Sequence, residues 1–277
     1  MRRLFVSVDM EGVAGVASAV SLMPTGWEYT AYRRWMTAEL NAVAEAAFDA
    51  GYAEVIAVDG HGNSHNVDPD QLIDNIQLVR SSPRPMFQMQ MIDDPSVDAC
   101  AFIGYHSAAG TPDSILAHSF SGAALRSVRL NGVLASEGYI NAAVAGEFGK
   151  PVLFVSGDRQ TLEDARRYAP DAVLHTTKQS FGFRSAMSLP PRQACEALKK
   201  AAARAFAQPY GQPFKVEPPF EVEVEMTSQV AAELLGYLPW LERTDAYTVK
   251  ARFKAMQEVR GFIGFVMSYM PNGQTPY

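Results

Sequence analysis

Three short apolar runs, each closing on a side chain able to bind a metal, constrain this chain more than any other feature. Residues 4–8 close on Asp9, with Glu11 two positions on. Residues 54–58 close on Asp59-Gly60-His61, and residues 99–103 on Gly104-Tyr105-His106. Runs this short and continuously apolar read as buried β-strands. In open α/β sheets, ligands bind beyond the carboxyl ends of the strands. Strand-end residues from three such runs therefore converge on one crevice.

The intervening sequence supplies helices. Residues 31–50 carry apolar side chains at Met36, Leu40, Val43 and Ala47, and Gly51 suits the helix C-terminus. Further strands are expected at 76–79, 125–130, 151–155 and 172–176, with Asn131-Gly132 as a turn. Helices are expected at 136–148 and 161–168. This alternation predicts an α/β fold: three layers around a mostly parallel sheet. After Leu189 the pattern changes. A helix over 191–206 and a Pro- and Gly-spaced stretch over 209–219 lead to a strand (220–226), a helix (228–237), a strand (246–251) and a helix (253–267). Residues 1–189 thus read as a metal-binding catalytic α/β domain, and 190–277 as a smaller C-terminal α+β subdomain that can interleave with the middle of the chain.

Composition narrows the function classes. The 277 residues are 48% apolar and 19% charged, ordinary for a globular protein with a buried core. The formal charge is 24 − 30 = −6 with no Lys/Arg cluster, which argues against nucleic acid and anionic membranes as partners. The two cysteines, Cys100 and Cys195, form no CxxC motif, and Cys100 lies in an apolar run that reads as core. No stretch is apolar for long enough to span a membrane. Arg2-Arg3 and the apolar residues after them are interrupted by Ser7, Asp9 and Glu11, so they read as a strand rather than a signal peptide. A cytoplasmic protein is expected.

The candidate chemistry has a bland reading beside each sharp one. Asp9 and Glu11 are i and i+2 in an extended segment and project to the same side. Their charges repel unless one takes a proton or a divalent cation lies between them; alternatively they form a solvated turn. His61, between two glycines, is a ligand or part of a polar loop, and His65 is assigned to that loop. His106 is a ligand or a core histidine. His118, in Leu116-Ala117-His118-Ser119-Phe120, can act as base, acid or nucleophile, or be structural. Glu137 follows Ser136, a residue suited to an N-cap, so by itself it suits the helix dipole better than a metal. Asp158, Lys178 and Arg184 are secondary candidates, the last two for a substrate carboxylate. His175 reads as surface or strand, and Met86, Met89 and Met91 as packing. Together Asp9, Glu11, His61, His106 and Glu137 offer an N/O donor set that suits two zinc ions, with manganese or cobalt as possible substitutes. Paired divalent ions make water acidic enough to supply hydroxide near neutral pH.

Several segments, in order, resemble the D-aminopeptidase metallopeptidases, the family typified by the dipeptide-transport-operon D-aminopeptidase. They begin with Ser7-Val8-Asp9-Met10-Glu11-Gly12 and Gly15, then Gly104-Tyr105-His106, Gly110-Thr111-Pro112 and His118-Ser119. Asn131-Gly132, Glu137-Gly138 with Asn141-Ala142, Pro151-Val152, Gly157-Asp158, Lys178-Gln179 and Arg184-Ser185-Ala186 extend the likeness over most of the chain. The resemblance implies that Asp9 bridges two zinc ions and that Glu11, His61, His106 and Glu137 complete their shells. It implies His118 as the catalytic residue, described in the family as a nucleophile. It also implies release of N-terminal D-residues, D-alanine above all, from short peptides and amides. It further implies a homo-oligomer, a closed ring such as a decamer. This chain has Gly60 where the family often has Ser, and Ser136 where it often has Gly; both keep the ligand types and bear on loop shape and substrate preference. Two other classes stand beside this reading. One is a two-metal phosphoesterase, opposed by the lack of a Gly-rich phosphate loop. The other is a non-catalytic peptide-binding relic, opposed by the presence of His118.

Overall fold

The computed structural model describes residues 2–269. Its larger sheet is seven-stranded, in the order β3-β2-β1-β4-β7-β8-β9. The strands are β1 (Arg3–Val8), β2 (Glu54–Asp59), β3 (Ile76–Val79), β4 (Val97–Tyr105), β7 (Val152–Asp158), β8 (Val173–Ser180) and β9 (Ala186–Ser188). All neighbours are parallel except β8 and β9. The chain winds outward from β1 through β2 to β3, then returns to β4 on the other flank of β1. The crevice between β1 and β4 is thus the topological switch point, where α/β sheets bind ligands.

Side chains alternate across the central strands. Leu4, Val6 and Val8 pack on one face with α1 (Tyr29–Asp49) and α4 (Pro191–Phe206), whose Met36, Leu40, Val43 and Leu198 are buried there. Phe5, Ile56 and Phe102 face the opposite layer, which contains α2 (Glu137–Glu147), α3 (Arg159–Ala165) and a second sheet. The three-layer, mostly parallel architecture expected from the alternation of strands and helices is present.

The second sheet is five-stranded and antiparallel, in the order β11-β12-β10-β5-β6. It combines β5 (Leu125–Leu130) and β6 (Val133–Leu134) with β10 (Phe220–Met226), β11 (Glu242–Arg243) and β12 (Thr248–Phe253). The units expected at 1–189 and 190–277 therefore interleave. β5 pairs with β10 across the divide, and α4 packs on α1 rather than on the second sheet. The physical reason is burial: Val128, Leu130, Val222 and Val224 share one apolar face, and the apolar side of α4 fits the face of the main sheet. The last helices, α5 (Gln229–Leu235) and α6 (Met256–Ser268), add Ala231, Phe262 and Ile263 to the same core. No helix among the described residues is long and apolar enough to cross a membrane.

Candidate metal centre

Strand register sets the site. Val8 pairs with Asp59 on one side and with Ile103 on the other. The pairing continues one step further, as Asp9 N donates to Ile103 O and Gly60 N donates to Val8 O, each at 2.8 Å. Asp9, His61 and His106 thereby leave three adjacent strands at nearly one level. The loop after β1 then crosses the end of β4, where Gly12 N donates to Gly104 O at 2.8 Å. A β-carbon on either glycine would run into the facing backbone, so this crossing requires glycine at both positions.

Around Asp9 two triads form. Its Oδ1 is 3.3 Å from His61 Nδ1, which is 3.1 Å from Glu11 Oε2. Its Oδ2 is 3.6 Å from His106 Nε2, which is 3.2 Å from Glu137 Oε1. Potential ligand atoms in each triad lie within 4.8 Å of one another. All five side chains are buried. Without a metal the crowding is visible in their acidities. Burial and the Glu11 charge push Asp9 up to about 7. Burial alone would raise Glu11, but His61, His106 and His118 together hold it well below the usual carboxylate range. Glu137 likewise falls to about 2 against its burial, through His106, His118 and Gln88. His106 rises to about 10 because Glu137, Glu11 and Asp9 outweigh its desolvation.

The remaining ring nitrogens are tied to the backbone. His61 Nε2 is 3.2 Å from Leu22 O and His106 Nδ1 is 3.0 Å from Ser107 O. Each N–H that donates there leaves the opposite nitrogen as the ligand atom. His106 Nε2 is buried without a hydrogen-bond partner, although Glu137 Oε1 lies only 3.2 Å away. Two potential ligand atoms this close, not hydrogen-bonded to each other and grouped with Asp9 within 4.8 Å, fit a divalent cation. The three carboxylates and two imidazoles fit zinc in kind.

Supporting side chains complete the frame. Asp59 accepts from Asn66 N, Val67 N and Asn66 Nδ2, which folds the loop carrying His61. Ser136 caps α2 by accepting from Tyr139 N, as expected, and so points Glu137 at His106. Glu137 also accepts from Phe120 N at 2.8 Å and from Gln88 Nε2. Asn141 Nδ2 donates to Gln88 Oε1 and to Tyr105 Oη, and Tyr105 donates to Ser7 Oγ. His118 stacks on His106, with ring centroids 4.0 Å apart. Its Nδ1 is 2.9 Å from Leu116 O, while Nε2 is 3.8 Å from Glu137 Oε1 and 4.0 Å from Glu11 Oε1. Desolvation, then the His106 charge, pull its pKa down.

The secondary candidates have other tasks. Asp158 caps α3 through Thr161 N and also accepts from Ser114 Oγ and Ile115 N. Lys178 is buried, and its Nζ donates to Glu11 O and Val16 O, both at 2.6 Å, pinning the loop after β1. Burial pulls it down to about 7 against the Glu39, Asp158 and Glu11 charges. Two of its three N–H groups are thus on the backbone, and it does not line the cavity. Arg184 is exposed, lies over the Phe183 ring and does not line the cavity. His65 is exposed on its loop. Sequence reasoning passed over Gln88 and Arg260, and gave Asn141 no role beyond the family resemblance. The available signals were an amide within Met86-Phe87-Gln88-Met89 and an arginine on the apolar face of α6.

A family profile described as D-aminopeptidase, peptidase family M55, matches residues 1–265. The chain belongs to this family. It is a metallo-aminopeptidase, a hydrolase, and neither the phosphoesterase nor the binding-relic reading is favoured. The D-aminopeptidase of Bacillus subtilis (strain 168) is 29% identical over 259 residues, covering 92% of this chain and 93% of that protein. Among solved structures, a Zn-dependent D-aminopeptidase, DppA from Bacillus subtilis, described as a self-compartmentalizing protease, superposes with a TM-score of 0.92. It has 26% identity over 99% of both chains.

Proposed function

We propose that this enzyme removes N-terminal D-residues, D-alanine among them, from short peptides and amides, at a centre where Asp9, Glu11, His61, His106 and Glu137 would hold two zinc ions. Glu11 and His61 would serve one ion, His106 and Glu137 the other, and Asp9 stands in both groups. One observation carries the reading: the two oxygens of Asp9 face separate triads. Bound divalent ions supply positive charge that acidifies a water and polarises a carbonyl. The residues do the rest. Leu22 O and Ser107 O fix the His61 and His106 tautomers, while Gln88 and Phe120 N orient Glu137. His118, tied at Nδ1, presents Nε2 to the cavity. It takes the proton of the attacking water and returns it to the leaving amine nitrogen as the C–N bond breaks. This assigns proton transfer to His118 rather than the family's nucleophile role.

His118→Ala tests the assignment. Turnover of D-alanyl amides should fall roughly 10²–10⁴-fold, the usual contribution of general acid–base catalysis, with zinc content unchanged. Loss of zinc would make His118 a ligand instead, an outcome its grouping with Glu11 and His106 makes measurable. Paired D- and L-alanyl amides test the stereochemistry, and equal turnover of both would refute D-selectivity. A closed homo-oligomer is part of the same reading. Val20, Met23, Trp27, Phe181, Phe183 and Met187 are exposed, and Met23 and Phe183 also line the cavity. Apolar surface of this kind suits subunit contact, and sedimentation would show a monomer if that is wrong.

A further inference from the structure

The cavity over the metal centre has a volume of about 440 Å³. Besides Asp9, Glu11, His61, His118 and Glu137, its lining includes two arginines, Arg84 and Arg260. They differ in what they hold. Arg84 donates Nε to Phe87 O, Nη1 to Ser81 O and Nη2 to Asp59 O, so each of its three nitrogens is engaged by the backbone. Arg260, on α6, is 1% exposed, and its Nε and Nη1 have no hydrogen-bond partner. Among the described residues no carboxylate lies within ion-pair distance of it.

Its setting makes this guanidinium specific rather than merely buried. The Phe87 ring lies 4.5 Å from its carbon and the Phe120 ring 4.8 Å. Two aromatic contacts hold the cation in place while its N–H groups point outward in the guanidinium plane. Gly264, one turn along α6, makes room for this packing, because a β-carbon there would overlap the Phe87 ring. Burial lowers the pKa only to about 10, so the group stays charged at neutral pH. A buried, charged donor set without an acceptor, on the wall of a cavity, is completed by an anion from outside. A carboxylate accepts from guanidinium N–H groups in charge-assisted hydrogen bonds.

We propose that Arg260 binds the free α-carboxylate of a short peptide substrate, and so makes the enzyme prefer peptides with an uncapped C-terminus. This rests on the aminopeptidase reading of the neighbouring metal centre. The substrate is then held at both ends: its N-terminus at the metal-ligand cluster and its C-terminus at the arginine.

The test compares D-alanyl-D-alanine with its C-terminal amide on the zinc-loaded enzyme. The free acid should be favoured in kcat/KM by about 10–100-fold, the value of charge-assisted hydrogen bonds. The difference should appear mainly in KM. Arg260→Met should bring the ratio close to one, and Arg260→Lys should keep part of it. Should Arg260→Met fail to fold, the wild-type comparison and Arg260→Lys still decide. Equal turnover of acid and amide by the wild type overturns the proposal and leaves the aminopeptidase reading intact. So does an equal loss on both substrates in the variants, which would mean that Arg260 only supports nearby Glu137. If neither compound is turned over, the aminopeptidase reading has failed for these substrates. Calorimetric binding then still judges Arg260: tighter binding of the acid than of the amide supports it, and equal binding overturns it.

Discussion

The candidate metal wall of the cavity and the arginine wall use buried polar groups in opposite ways. At the metal wall nearly every supporting atom has a partner: Asp59 accepts three donors, Gln88 bridges Glu137 and Asn141, and Lys178 donates to two carbonyls. Two atoms there lack a partner among the described residues: His106 Nε2, which faces the proposed cation, and Asn141 Oδ1 behind it. At the other wall Arg260 lacks partners for two of its nitrogens and is held by aromatic faces instead. Buried polar groups normally find partners, and unpaired ones mark unfilled roles. The contrast teaches that each wall leaves vacant the donors or acceptors that its own ligand would complete: a cation at one, an anion at the other.

The sharpest break in this comparison is Asp9→Ala, because both triads share that side chain. Metal content should collapse for both ions. Activity should fall by more than the roughly 10–100-fold typical of losing an outer-shell partner. Elemental analysis beside the amide assay checks it. Retention of one full equivalent of zinc would mean that the two triads bind independently of Asp9.

A smaller effect comes from the frame. Gln88→Leu keeps the approximate volume but removes the donor to Glu137 and the acceptor for Asn141. Zinc affinity or turnover should drop roughly 10–100-fold. A competition titration with a chelator measures the first, and an unchanged affinity with unchanged rate would show that Phe120 N alone suffices to orient Glu137.

How much of this was legible in the sequence follows the same division. Asp9, His61 and His106 could be read because each ends a buried strand, and strand order then fixes their neighbours. Glu137 looked like a helix-dipole residue, and the reading of Ser136 before it as the N-cap was correct as local structure; the aim of Glu137 at His106 depends on how α2 packs, which local pattern does not contain. Lys178 was noticed for its charge, but its partners are backbone carbonyls more than 150 residues away in sequence. A smaller α+β unit was expected after Leu189, able to interleave with the middle of the chain, but which middle strands join its sheet, β5 and β6, was not legible. An antiparallel partner is selected by matching apolar faces, and nothing in a strand's own sequence names that partner. Arg260 was passed over because an arginine in a terminal helix is normally a solvated side chain.

The mildest test strikes the arginine wall alone. Gly264→Ala puts a β-carbon against the Phe87 ring, and such overpacking typically costs about 1–3 kcal/mol of stability. The ring should shift, loosen its contact with the Arg260 guanidinium, and reduce the preference for a free C-terminus by less than Arg260→Met does. Zinc content should stay at the wild-type level. Phe87 and Gln88 are, however, neighbours in the same short 3-10 turn, Phe87–Met89. A ring pushed hard enough to drag that turn would pull Gln88 from Glu137, and zinc affinity would then fall together with substrate preference. Measuring both in the one variant therefore separates two independent walls from a single coupled one, in which substrate recognition and metal binding share the turn that carries Phe87 and Gln88.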